Sequence, residues 1–395
     1  MKRILLATAV SAGLASAAAA EPVNIGVILG FTGPLESITP AMAASAEMAL
    51  KEASDSGKLP GGITLNPVRA DSTCIDAAAA TTAAEGLVTG QNVVAIMGAD
   101  CSGVTTAIAT NVAVPKGVVM VSPSATSPAL SSLEDNGYFF RTAPSDARQG
   151  EVLADLVSES GVTEVAVTHT NNDYGKGLAD SFQAAFEAKG GKVAISAAHD
   201  DGKGDYSAEV AALQASGADT LMVLGYVDQG GRGIVQAALD TGAFEHFYFG
   251  DGMYGQSLID AVGSEINGKV IGTLPGVEGE AADIFATLAK AHDMDPTGTY
   301  VPESYDAAAL IALSMAAAGS ADRTGIRDHM LDVANAPGEK IYAGELAKAL
   351  DLIAQGQDID YQGATGVELI GPGEARGSYR VYEIKDDAPV TLGYR

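Results

Sequence analysis

Short apolar runs closed by Gly, Asn or Pro alternate along this chain with longer alanine-rich stretches whose apolar residues recur at helical spacing. That alternation marks β-α-β units and a parallel sheet, because parallel neighbours need a crossover long enough to carry a helix. It comes in two series. The first places strands at 23–30, 63–69, 93–97 and 118–121, with helices over 41–53 and 76–88. The second places strands at 165–168, 193–197, 220–224 and 247–249, with helices over 174–189, 207–215 and 233–241. In the helix over 174–189, Leu178, Phe182 and Phe186 repeat at i, i+4.

At 395 residues the chain is longer than one hydrophobic core serves well, so each series is expected to form its own sheet. Pro144 disfavours helix at Ala143, and Ser145 or Asp146 can cap a helix starting near Gln149, so 143–146 reads as a crossing between lobes. The chain returns near 269–276 and becomes mainly helical over 281–292, 303–318, 326–334 and 344–354, with strand candidates at 366–370 and 379–384. The expected division is residues 21–142 plus 275–358 for the first lobe and 143–274 plus 359–395 for the second, with the crossings acting as a hinge.

Residues 1–20 read as a secretory leader. Lys2 and Arg3 precede an apolar run, and Ala18-Ala19-Ala20 supplies a small-residue cleavage site, with cutting after Ala20. The run is too short to span a membrane and no later run of eighteen apolar residues exists, so the expectation is an exported, soluble protein with no direct membrane insertion. The formal charge of −27 grows by two units once Lys2 and Arg3 are removed, and so acidic a body repels phosphate backbones and anionic lipid. Nucleic acid is therefore not expected as a partner. The two cysteines, Cys74 and Cys101, most simply form a disulfide in an oxidising compartment, and two free core thiols are the alternative. The five histidines are scattered, which argues against a zinc site, and no metal or other cofactor is expected.

Two strand ends open into small hydroxyl-bearing residues: Gly98-Ala99-Asp100-Cys101-Ser102-Gly103 and Ser122-Pro123-Ser124-Ala125-Thr126. In an open parallel sheet, ligands bind beyond the carboxyl ends of the strands. Ser102, Ser124 and Thr126 offer hydroxyls and neighbouring N–H groups for a carboxylate, with a helix start near Gly103 adding its positive end. In the second series Tyr174, Tyr226 and Asp251 sit just past strands. Two aromatic faces and a carboxylate suit a desolvated ammonium. A carboxylate cradle on one lobe and an ammonium clamp on the other describe the head group of an amino acid.

Other patterns carry less. Gly250-Asp251-Gly252-Met253-Tyr254-Gly255 matches a dinucleotide fingerprint in form, but Asp251 would face the pyrophosphate and no acidic residue ends the next strand. Asp200-Asp201-Gly202-Lys203-Gly204-Asp205 lacks the ligand alternation and closing Glu of a calcium loop and reads as a solvated turn capping the next helix. The chain contains neither G-x-S-x-G, H-E-x-x-H nor a P-loop, so an enzyme is not expected.

Several ordered stretches carry a resemblance: Ile25-Gly26-Val27 with Thr32-Gly33-Pro34, Asp71-Ser72-Thr73-Cys74, Ser122-Pro123-Ser124-Ala125-Thr126-Ser127-Pro128, Phe140-Arg141-Thr142, Asp173-Tyr174-Gly175-Lys176-Gly177, Gly225-Tyr226 and Gly250-Asp251-Gly252. The chain resembles the periplasmic solute-binding proteins of ABC importers for branched-chain amino acids. The resemblance implies a type I periplasmic-binding-protein fold, α/β, with two Rossmann-like lobes of parallel strands joined by a three-crossing hinge. It implies that Ser102, Ser124 and Thr126 hold the ligand carboxylate and that Ala125 adds backbone groups to the same loop. Tyr174 and Tyr226 would close from the other lobe, Asp251 would take the ammonium, and Cys74 would pair with Cys101.

Two features depart from that pattern. The loop Leu35-Glu36-Ser37-Ile38-Thr39 lacks the aromatic residue that many members place over the ligand side chain, and Asp100 puts a carboxylate immediately before the cradle. Both fall where the ligand's side chain is expected, which keeps a polar or cationic amino acid, or a small amide, beside leucine, isoleucine and valine. The implied partner is an ABC permease in the inner membrane that takes ligand from the closed protein in the periplasm; a ligand-sensing receptor subunit is the alternative role.

Overall fold

The computed structural model describes residues 21–395. The expected leader and its cut after Ala20 lie outside the described residues.

The first lobe begins with β1 (Val23–Leu29), β2 (Leu65–Asp71), β3 (Ala95–Gly98), β4 (Val119–Ser122) and β5 (Phe139–Arg141). The second contains β6 (Glu164–Thr170), β7 (Lys192–His199), β8 (Thr220–Leu224), β9 (His246–Phe249) and β10 (Val270–Pro275). The chain returns through β11 (Glu339–Tyr342), β12 (Ile359–Gly363), β13 (Leu369–Ile370) and β14 (Glu374–Ala375), and ends with β15 (Tyr379–Lys385) and β16 (Ala388–Tyr394).

The first sheet is ordered β13-β14-β5-β4-β3-β1-β2 and the second β16-β15-β10-β9-β8-β6-β7. In each, five parallel strands run in the doubly wound order 2-1-3-4-5, so each has one switch point: β1/β3 in the first lobe and β6/β8 in the second. The central strands β3, β4 and β8 are buried at every position, as apolar strands covered by helices on both faces must be. The helix Val301–Ala317 is buried along most of its length and packs on the helix Thr39–Asp55. Its sequence is apolar nearly all round, which suits a helix with almost no solvent face.

The first crossing comes after β5, where the Ser145 side chain caps the helix Asp146–Glu159. The second lies at 276–279, between β10 and the helix Glu280–Ala291. The third corrects the expected boundary at 359. Residues 359–375 stay with the first lobe: β12 pairs with β11 beside its helices, and β14 extends the first sheet with Glu374 in register with Arg141. Crossing comes only at 376–378, before β15 pairs with β10. Two-residue strands around Gly371-Pro372-Gly373 are too short for an alternation pattern, and the ion pair Arg141–Glu374 holds them to the sheet. The strands β5, β11, β12, β14 and β16 lie outside the sequence expectations, whereas β13 falls within the strand expected at 366–370.

Candidate ligand-binding cleft

The carboxyl ends of both sheets point into one crevice. Ser102 opens the helix after β3, Ser124 lies just past β4, Tyr174 lies in the first turn of the helix Asp173–Ala188 after β6, Tyr226 lies just past β8, and Asp251 opens a short turn after β9. These five residues line a single small cavity of about 20 Å³. The Gly175 backbone is pressed so close to the end of β6 that a Cβ there would sit 2.3 Å from the Thr170 carbonyl oxygen, and this approach aims Tyr174 at the cavity.

Asp251 is buried, and its two oxygens accept from two hydroxyls: Oδ1 from Tyr174 at 2.8 Å, and Oδ2 from Tyr300. Burial raises the Asp251 carboxyl above the usual carboxylate range, and those two hydroxyls work against the rise. The Tyr174 oxygen also accepts the Gly252 N–H at 3.2 Å, and the rings of Tyr174 and Tyr226 stack with centroids 5.3 Å apart. Tyr226 Oη accepts from Asn172 Nδ2 at 3.1 Å.

On the first lobe, Ser102 Oγ accepts the Ser127 N–H at 3.1 Å and Ser124 Oγ donates to the Asp100 carbonyl at 3.0 Å. Ala125 and Thr126 do not line the cavity. The Ala125 N–H is given to Ser122 Oγ at 2.9 Å and its carbonyl accepts from Arg141 Nη1 at 3.0 Å. The buried guanidinium of Arg141 also reaches the Ser127 carbonyl, so it holds the 124–128 loop from behind. Thr126 Oγ1 is buried with no partner, beside Asp146, whose two carboxyl oxygens are also buried and unpartnered. Burial first, and then the neighbouring Asp251, hold the Asp146 carboxyl well above the usual range.

Asp100 turns back into its own lobe. Its Oδ2 accepts the Gly30 N–H at 3.0 Å and its Oδ1 the Ser72 hydroxyl at 2.8 Å, tying the ends of β1, β2 and β3 together at the switch point. Asp100 still lines the cavity beside the apolar Leu35 and Ile38, but with its carboxylate oxygens held by Gly30 and Ser72. Cys74 and Cys101 are joined in a disulfide, as expected. They and Asp100 form a close group of potential metal ligands, but both sulfurs are spent on that bond. The Asp200–Asp205 turn caps as expected, with Asp205 accepting from the Ser207 N–H at 2.9 Å.

Tyr300 and Asp146 were missed by sequence reasoning. Tyr300 belongs to the first lobe yet holds Asp251 of the second, from a left-handed backbone (φ 57°) immediately before the helix Val301–Ala317. No sequence pattern marks that position. Asp146 did stand out, but as a helix cap.

Comparison with known proteins places these observations among relatives. A family model described as periplasmic binding protein matches residues 22–342. The Leu/Ile/Val-binding protein homolog 3 of Brucella melitensis is 31% identical over 325 residues, covering 80% of this chain and 84% of its own. A leucine-, isoleucine-, valine-, threonine- and alanine-binding protein of Pseudomonas aeruginosa is 29% identical over 327 residues, covering 82% and 85%. A leucine binding protein structure from Thermotoga maritima shares the fold, with a TM-score of 0.76 at 22% identity over 94% of this chain and 98% of its own. Among the described residues no helix is long and apolar enough to cross a membrane.

Proposed function

The chain belongs to the periplasmic binding protein family, and we propose that it is the solute-binding component of an ABC importer, clasping an aliphatic α-amino acid of the leucine, isoleucine and valine class between its lobes. The closed protein delivers that ligand to an inner-membrane permease after export to the periplasm. Its role is capture and not turnover. Asp251, backed by Tyr174 and Tyr300, takes the ammonium, and the stacked rings of Tyr174 and Tyr226 cover it. Ser102, whose O–H has no acceptor among the described residues, donates to the carboxylate from the first lobe, joined by Ser124 once its hydroxyl turns from the Asp100 carbonyl, and Thr126 and Ala125 shape the loop that presents Ser124. Leu35 and Ile38 meet an apolar side chain, which favours an aliphatic ligand over a cationic one.

One observation carries this reading: a buried carboxylate on one lobe and paired hydroxyls on the other face the same cavity. Each lobe then touches one end of the zwitterion, so ligand favours the closed form by its differential affinity for it. Calorimetry with L-leucine, leucinamide and 4-methylpentanoate tests it. Leucine is expected to bind, and each analogue, lacking one charge, to bind about a hundredfold more weakly or worse. Equal binding of 4-methylpentanoate would remove the ammonium site from the account.

A further inference from the structure

A second cavity of about 210 Å³, partly open to solvent, lies among the chain crossings and shares no lining residue with the cleft. Its walls come from both lobes: the end of β10 and the residues after it, the helices Glu280–Ala291 and Val301–Ala317, Thr365 ahead of the third crossing, and Arg380 of β15.

Arg380 is the unusual group. It is buried, with 7% of its surface exposed, and its guanidinium lies 4.9 Å from the centre of the Tyr254 ring. Nη2 donates to the Thr297 carbonyl at 3.0 Å, while Nε is buried with no acceptor. Among the described residues no carboxylate pairs with it. A buried cation without a counter-charge is costly, and structures rarely keep one without a use for it.

The one buried acid on the same cavity, Glu303, does not serve as counter-ion. Burial pushes its carboxyl up to about 8, so at neutral pH it is protonated and offers a hydroxyl. The remaining wall includes Leu274, Phe285 and Pro302, an apolar surface facing these two polar groups.

We propose that this hinge cavity is a second ligand site, for a small monocarboxylate with an apolar body. The carboxylate pairs with the Arg380 guanidinium and accepts from the Glu303 hydroxyl, and the apolar body packs on Leu274 and Phe285. A dianion fits poorly, because one guanidinium would leave a charge uncompensated with Asp283 also on the wall. Around Glu303 stand Asp306 on its own helix, Asp283 from the helix Glu280–Ala291 and Arg380 from β15, with Glu368 and Arg376 across an adjoining groove. Above about pH 8 Glu303 ionises, becomes an internal counter-ion for Arg380 and repels the ligand, so affinity falls as pH rises.

Butyrate is the probe, titrated into the purified protein and followed by the protein's NMR shifts. Butyrate is expected to bind at neutral pH and to weaken about tenfold or more in Arg380→Gln. Saturating L-leucine is expected not to displace it. Glu303→Gln, which keeps a neutral donor, is expected to retain binding and to lose the fall above about pH 8. Absence of butyrate binding, equal binding by Arg380→Gln, an unchanged pH profile in Glu303→Gln, or displacement by leucine each overturns the proposal. The proposal does not depend on what the cleft binds: a protein that ignores leucine still passes or fails through Arg380 and Glu303.

Discussion

The backbone N–H of Ser37, on the first lobe, donates to the Asp228 carboxylate of the second at 2.9 Å. Asp228 gives its own N–H to the Pro34 carbonyl at 3.1 Å, and its other carboxylate oxygen accepts from Ser257 Oγ at 2.7 Å. Asp228 is thus a latch that fastens the loop carrying Leu35 and Ile38 over the cavity, and it belongs to the closed form.

Removing the latch should therefore act on ligand retention. Asp228→Ala is expected to speed ligand release and to weaken affinity by about tenfold, with association rates nearly unchanged. Stopped-flow measurement of both rates checks this, and unaltered release would show that the latch does not contribute to holding the lobes together.

Asp251 faces the larger test. Asp251→Asn leaves the shape of the site and takes away its charge, so leucine affinity should fall by roughly a hundredfold to a thousandfold. Tyr300→Phe removes one of the two hydroxyls that orient the carboxylate, and a loss of about tenfold is expected. Calorimetry on both variants gives the ranking, and a Tyr300→Phe protein as impaired as Asp251→Asn would contradict it.

Asp146 is expected to shape the pH dependence of stability. Its carboxyl titrates higher in the folded protein than in the unfolded chain, so its contribution is fully present below the unfolded value and is lost as pH rises through the folded one. The ligand-free protein should be more stable in mild acid than at neutral pH on this account. Asp146→Asn should flatten that slope and add about 1 to 3 kcal/mol at neutral pH, more than the roughly 0.5 kcal/mol that a charge in the first helical turn returns. Denaturant unfolding across pH measures both.

The disulfide closes a 27-residue separation between the loops after β2 and β3. On the chain-entropy estimate its loss costs about 3 to 4 kcal/mol. The double variant Cys74→Ser, Cys101→Ser should show that decrease in urea unfolding, together with weaker ligand binding, because Cys101 itself lines the cleft.

How far the site could be read from the chain varies by residue. Ser102, Ser124, Tyr174, Tyr226 and Asp251 all come just after apolar strands, and a strand end in a doubly wound sheet has one direction to face, so their grouping was legible. Ala125 and Thr126 sit on the same loop, yet their polar atoms turn into the lobe toward Ser122, Arg141 and Asp146. Strand position locates a loop; the direction of each side chain within it depends on what packs behind. Asp100 illustrates the same limit, since it lines the cavity beside Leu35 and Ile38 while its carboxylate oxygens serve Gly30 and Ser72.

Local pattern alone determined two α/β lobes and most of the strand ends that carry the cleft, because apolar period and turn residues act over a few neighbouring positions. Tertiary structure alone decided that Tyr300 holds Asp251 across the lobes, that residues 359–375 stay with the first lobe, and that Arg380 is buried without a carboxylate partner among the described residues. These contacts join residues far apart in the chain, and their energies depend on burial, which no local pattern records.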